Sequence, residues 1–157
     1  MDLILWRHAE AEEIAEDGGD LARQLTPKGC QQAEHMARWL KKHGPKAPHI
    51  LVSPALRTQQ TAQALTSKFE TCHAIAPNAR VSDLLHASGW PDGPPNVDRT
   101  VILVGHQPTL GLLAAKIMTG RESAWSVKKG AIWWFQRRSR GSSDETVLKL
   151  VLPAELT

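Results

Sequence analysis

Apolar positions along the chain gather into short runs and helical stripes that alternate. Leu3-Ile4-Leu5-Trp6 is a short apolar run of the kind that forms a strand buried on both faces. A polar, glycine-containing loop follows to about Arg23. Thr26-Pro27 then offers an N-cap and a proline for the first helical position. Cys30, Ala33, Ala37 and Leu40 recur at helical spacing, with Met36 and Trp39 widening the stripe, until Gly44-Pro45 ends the helix. Ile50-Leu51-Val52 is the next strand. Ser53-Pro54 repeats the cap-and-proline signal and predicts a helix with Ala55, Ala62, Leu65 and Phe69 on one face.

The pattern weakens from Cys72 to Leu85, and the glycine- and proline-rich stretch between Ser88 and Arg99 predicts a loop. Val101-Ile102-Leu103-Val104 is a β-branched buried strand. Pro108 opens a helix through Leu112, Leu113, Ile117 and Met118 that Gly120 closes. Ala131–Phe135 and Thr146–Leu152 predict two strands, with RRSRGSSDE as the turn of a hairpin. Strands alternating with helices make the chain an α/β protein with a largely parallel sheet in its middle. In such sheets ligands bind at the carboxyl ends of the strands. The residues standing there are Arg7-His8, Ser53 with Arg57 one turn into a helix, and Gly105-His106.

Composition narrows the class. A length of 157 residues fits one domain, 1–157, able to bury roughly 70% of its unfolded surface without staples. The net charge of +3 is too small to make nucleic acid the first partner to consider. Cys30 and Cys72 lie far apart in no metal spacing and suit a reducing compartment. The opening apolar run is too short for a signal peptide, and no run reaches membrane-span length, so a cytoplasmic protein without membrane contact is expected. The acidic run from Glu10 to Asp20 and the basic run from Arg121 to Arg140 read as solvated faces. Trp133-Trp134-Phe135, beside Arg137, Arg138 and Arg140, reads as an amphipathic edge strand rather than a nucleic-acid platform. His35, His43, His49, His73 and His86 read as structural or solvated.

The chemistry lies in the pairing of Arg7 with His8. An arginine engages two phosphate oxygens at once, and a neutral, held imidazole is a competent nucleophile toward phosphorus. Arg57 and His106 occupy matching places after their strands, and two of these sites lie near helix starts that favour anions. Four motifs in this order, LWRHAEA, LTPKG, LVSPALRTQQTA and VGHQP, resemble the histidine phosphatase superfamily, the phosphoglycerate mutase-like proteins. Within it the chain looks most like the short SixA-type phosphohistidine phosphatases. Ala9 stands where the usual signature has glycine.

The resemblance implies a three-layer α/β/α fold. It makes His8 the nucleophile, Arg7 and Arg57 the clamp on the phosphoryl oxygens, His106 a donor to those oxygens, and Arg23 a further phosphate-binding residue. No metal and no cofactor are implied. A triad of His8, Glu10 and His106 is disfavoured as a metal site by the arginines beside it. The stretch VSDLLHASGW, where many superfamily members carry a carboxylic acid, offers only Asp83 and His86 as candidate acids. An alkoxide leaves badly without an acid, whereas imidazole leaves more readily. The expected activity is therefore phosphatase action, through a phosphohistidine intermediate, on phosphohistidine in a protein partner by a monomeric enzyme. The alternatives are a phosphatase for small esters such as sugar phosphates or nucleotides, and a phosphoprotein-binding module with little turnover.

Overall fold

The computed structural model describes residues 1–93 and 100–157. Its strands are β1 (Asp2–Arg7), β2 (His49–Val52), β3 (Glu70–Thr71), β4 (Thr100–Gly105), β5 (Ile132–Arg140) and β6 (Ser143–Leu152). Its helices are α1 (Pro27–His43), α2 (Leu56–Gln63), α3 (Val81–Ser88) and α4 (Thr109–Thr119). The strands form one sheet in the order β3-β2-β4-β1-β5-β6. The first four are mutually parallel, and β5 and β6 run antiparallel at the other side.

Alternation along each strand sends side chains to opposite faces. Leu3 and Leu5, with Leu51, Val101, Leu103 and Phe135, pack with Val81 and Leu84 of α3 and Leu110 and Leu113 of α4. Ile4 and Trp6, with Ile50, Val52, Ile102, Val104, Ile132 and Trp134, pack with Met36, Ala37 and Leu40 of α1 and Ala62 of α2. The expected three-layer α/β/α arrangement results. Among the described residues no helix is long and apolar enough to cross a membrane.

α1 begins as its sequence predicts. The Thr26 hydroxyl accepts the Gly29 amide at 3.0 Å, and Pro27 takes the first helical position. The Gly44 amide closes the helix on the Leu40 carbonyl at 2.8 Å. α4 also runs as expected, with Thr109 rather than Pro108 as its first residue.

Four expectations need correction. α2 starts at Leu56 and stops at Gln63, so Leu65 and Phe69 lie beyond it, although both still pack on the α1/α2 side of the sheet. The stretch VSDLLHAS, featureless by pattern, is α3, started from Arg80 with the Asp83 carboxylate accepting the Arg80 amide at 2.8 Å. The RRSRGSSDE segment is mostly strand: Arg137 and Arg138 stand opposite Thr146 and Glu145, and Arg138 pairs with Glu145. The chain reverses only at Gly141-Ser142, where Gly141 has a φ of 63°. β5 is consequently an interior strand, and β6 is the edge. The loop expected over 88–99 is seen for residues 89–93, Ser88 ends α3, and 94–99 lie outside the described residues.

The parallel strands end in step. Arg7 stands opposite Gly105, and Val52 opposite Val104. The ladder then runs one residue further, with the His8 amide donating to the Gly105 carbonyl and the Ser53 amide to the Val104 carbonyl, both at 3.1 Å. His8, Ser53 and His106 are thus set side by side on one edge.

Gly29 explains the glycine of LTPKG. A Cβ on it would lie 1.9 Å from the Glu10 carbonyl oxygen, where the loop after His8 crosses α1. Alanine is the better helix former by about 1 kcal/mol. Gly29→Ala should nevertheless destabilise the protein, lowering the midpoint of urea unfolding, because backbone must move. An unchanged or raised midpoint would contradict this close crossing.

Candidate active site

A cleft of about 200 Å³ opens at the carboxyl ends of β1 and β4. Arg7, His8, Arg57, His106 and Arg23 line it, so the structure brings together every phosphate-binding and nucleophile candidate of the sequence. Ala11, Glu13, Pro77, Gln107 and Lys129 complete its wall.

His8 is 7% exposed, and its Nδ1 lies 2.7 Å from the Ala9 carbonyl oxygen. A carbonyl only accepts, so Nδ1 carries the proton and Nε2 keeps its lone pair. The Ala9 amide is tied to the Thr61 hydroxyl at 3.1 Å, which fixes the backbone that fixes the ring. Burial, assisted by the charges of Arg57 and Arg7 and opposed by the bond to Ala9, pushes the His8 pKa down from 6.5 to about 4. The ring is therefore neutral at physiological pH, as a nucleophile must be.

His106 faces His8 with ring centroids 5.5 Å apart. Its Nε2 lies 2.7 Å from the Ser53 hydroxyl oxygen, and Ser53 is wholly buried. That oxygen already accepts the Ala55 amide at 3.3 Å. The hydroxyl proton has His106 Nε2 as its only acceptor among the described residues, so Nε2 accepts and Nδ1 carries the ring proton. Ser53 thus does not cap α2, as its sequence suggested; it sets the tautomer of the second histidine. Burial, then the charge of Arg57, pushes the His106 pKa down to about 3.

The guanidinium groups are held from behind. Arg7 Nη1 donates to the Val127 carbonyl at 3.0 Å. Arg57, 3% exposed, donates from Nη1 to the Asp20 carbonyl at 2.8 Å and from Nη2 to the Asp20 carboxylate at 3.1 Å. Arg23 donates from Nε to the other Asp20 oxygen at 3.0 Å and from Nη1 to the Glu12 carbonyl at 3.1 Å. Burial lowers the pKa of both Arg7 and Arg57, which marks a cost that an anion in the cleft would relieve. Among the described residues three buried side-chain nitrogens have no protein partner: Arg7 Nε, Arg57 Nε and His106 Nδ1. With the tautomer set by Ser53, all three are N–H donors at one cleft. Unmet buried donors beside fixed cations are what an oxyanion site requires.

Asp20 lies in the acidic run whose pattern predicts a solvated face; nothing local in the sequence signals its contact with Arg57. Asp83 and His86 are not brought into the cleft. The Asp83 carboxylate is spent on the start of α3, and His86 is exposed in the last turn of that helix. Glu10 accepts the Thr26 hydroxyl at 2.8 Å and is likewise not a cleft residue. Among the described residues no three His, Cys, Asp or Glu side chains are grouped to hold a metal ion.

The model of the histidine phosphatase superfamily, branch 1, matches residues 3–85, more than half of the chain. The chain belongs to the histidine phosphatase superfamily. It is accordingly a phosphatase, a hydrolase. Phosphohistidine phosphatase SixA of Escherichia coli is 30% identical over 127 residues, 76% of this chain and 76% of that protein. An uncharacterized protein of Picosynechococcus is 34% identical over 127 residues, 77% of this chain and 75% of its own. Among solved structures, the protein histidine phosphatase SixA complexed with tungstate superposes with a TM-score of 0.75 at 25% identity, covering 98% of this chain and 97% of that one. A putative alpha-ribazole-5'-P phosphatase from Escherichia coli shares the fold, with a TM-score of 0.68 at 18% identity and coverage of 100% and 99%. The superfamily fold therefore hosts small-molecule phosphatases as well.

The ring environments predict a measurable titration. In nuclear magnetic resonance spectra of the free protein, His8 and His106 should stay neutral well below pH 6.5, with midpoints near 4 and 3. The unfolded chain takes up protons from about pH 6.5 downward that the folded rings refuse. Stability against denaturant should therefore fall as pH drops from about 6.5 toward 4. Titration of either ring at its ordinary value would contradict the buried, neutral pair.

Proposed function

We propose that this phosphatase removes the phosphoryl group from phosphohistidine carried on a protein. His8 Nε2 attacks phosphorus in line while the substrate imidazole departs and takes a proton from solvent. Water then cleaves the new Nε2–P bond, releasing inorganic phosphate and restoring the neutral ring. Arg7 and Arg57 hold the phosphoryl oxygens, His106 Nδ1–H donates to them, and Arg23 adds positive charge at the rim. Fixed donors of this kind stabilise the charge spread over the oxygens as the group transfers.

The substrate class rests on the composition and size of the cleft. Among the described residues Glu13 is the only carboxylate on its wall, and it is exposed on the loop after His8. Neither residue of the expected acid region reaches the site. Release of an alkoxide without a positioned acid forfeits roughly 10²–10⁴ in rate, whereas imidazole escapes most of that loss. A volume of about 200 Å³ is also below the range of roughly 300–1,000 Å³ typical of small-molecule sites. It suits a phosphoryl group presented by a larger surface. A neutral His8 with a free lone pair favours turnover over mere binding.

Side-by-side turnover on a phosphohistidine protein, p-nitrophenyl phosphate and a sugar phosphate tests this reading. Rates should fall steeply as the leaving-group pKa rises among the esters, and phosphohistidine should lie above that trend. Brief quenching should trap an alkali-stable, acid-labile phosphate that His8→Ala abolishes. Arg57→Ala should cost about 2–4 kcal/mol of transition-state stabilisation. Arg57→Lys should recover only part, since an ammonium does not span two oxygens. A sugar phosphate cleaved as fast as phosphohistidine would replace the proposal with a small-ester phosphatase, and a fully active His8→Ala protein would overturn the mechanism.

A further inference from the structure

The contact between Asp20 and Arg57 is unusual for a residue that reads as a phosphate clamp. A carboxylate beside such an arginine competes with the substrate for it. The geometry shows which part of the guanidinium is taken. Asp20 accepts Nη1 through its backbone carbonyl and Nη2 through its carboxylate, so it occupies the outer edge of the fork. The other edge, made by Nε and the second Nη2 proton, is left, and Nε is buried with no partner among the described residues. A guanidinium carries five N–H donors in a rigid plane, so fixing one edge fixes the direction of the other.

The same carboxylate holds Arg23 through its second oxygen. Asp20 thus joins two arginines that reach the cleft from separate elements. Its side chain is 58% exposed while that of Arg57 is 4% exposed, so the anchor stands outside and the anchored group inside. The carboxyl is ionised for this task. Its small burial acts to raise its pKa, but the charges and hydrogen bonds of Arg57 and Arg23 outweigh that and hold it below its ordinary value.

We propose that Asp20 is a positioning residue for phosphoryl transfer: it grips the outer edge of the Arg57 fork, leaves the Nε edge to the phosphoryl oxygens, and ties Arg23 into the same arrangement. This rests on the reading of the cleft as the phosphoryl site. Positioning predicts a particular split. Loss of Asp20 removes a negative charge near an anion site, so ground-state anion affinity is kept or strengthened. The freed Arg57 no longer points its fork at the transition state, so turnover falls. Misplacement of a catalytic group by about 1 Å costs on the order of 100-fold in rate.

The test compares Asp20→Ala and Asp20→Asn with wild type, using p-nitrophenyl phosphate as substrate and tungstate as inhibitor. Asp20→Ala should lower kcat by roughly 10- to 100-fold, with KM and tungstate inhibition equal to or tighter than wild type. Asp20→Asn keeps one side-chain oxygen, enough for one arginine but not both, and should fall between the two. If Asp20→Ala fails to fold, Asp20→Asn carries the test through its several-fold loss of kcat at unchanged KM. A thermal shift with wild-type kcat in either variant would reduce Asp20 to a structural contact and overturn the proposal. A rise in kcat with tighter tungstate binding would make Asp20 an inhibitory latch, which also overturns it. Trapping the phosphorylated wild-type enzyme in parallel separates the two levels: a trapped intermediate with fully active Asp20 variants sinks the positioning role alone, and no intermediate in wild type sinks the site reading with it.

Discussion

Burying a guanidinium costs free energy unless charge and hydrogen bonds meet it, and this cleft buries Arg57 almost completely and Arg7 in large part. The protein meets only some of that demand. Val127 and Asp20 satisfy the outer nitrogens, while both Nε groups have no partner among the described residues, beside the Nδ1–H of His106. The other features of the site follow from this incomplete satisfaction. The two cations help keep His8 neutral, the neutral ring holds its lone pair at Nε2, and the unmet donors define where an oxyanion fits. A fold that satisfied these donors internally would be more stable and would leave none of them for an anion.

The sheet makes such a concentration of charge feasible. Parallel strands β2, β4 and β1 end in register, so one residue past each end stands in a single row. Beneath that row both faces of the sheet are packed with aliphatic and aromatic side chains. The strain of gathering Arg7, Arg57 and two histidines is borne by a rigid base rather than by loops. Glu10, Thr26 and Gly29 lock the loop after His8 against the start of α1, which ties His8 to the first helix as well as to the first strand.

Residues whose role depends on position after a strand were legible in the sequence: Arg7, His8 and His106 follow apolar runs directly, and Arg57 lies one turn beyond another. The start and stop of α1 were legible because Thr26, Pro27 and Gly44 act on their own neighbours. What was not legible depends on distant partners. Ser53 has the chemistry of a cap, but its hydroxyl meets a histidine 53 residues away. Asp20 sits in an acidic run, and its partner is 37 residues on. α3 carries no such local signal: it is eight residues long and starts from Arg80, without a Ser, Thr, Asp or Asn cap or a proline. The apolar positions Leu65 and Phe69 extend the stripe of α2 but belong to the chain after it, which packs on the same face.

In the proposed site the three buried donors of Arg7, Arg57 and His106 meet one phosphoryl oxyanion. Nitrogen-15 spectra of the arginine Nε–H and histidine Nδ1–H groups, recorded with and without saturating tungstate, test it most directly. The Nε–H signals of Arg7 and Arg57 and the Nδ1–H signal of His106 should shift together and exchange more slowly with solvent when the anion binds. Tungstate inhibition that leaves these three signals unmoved would contradict it.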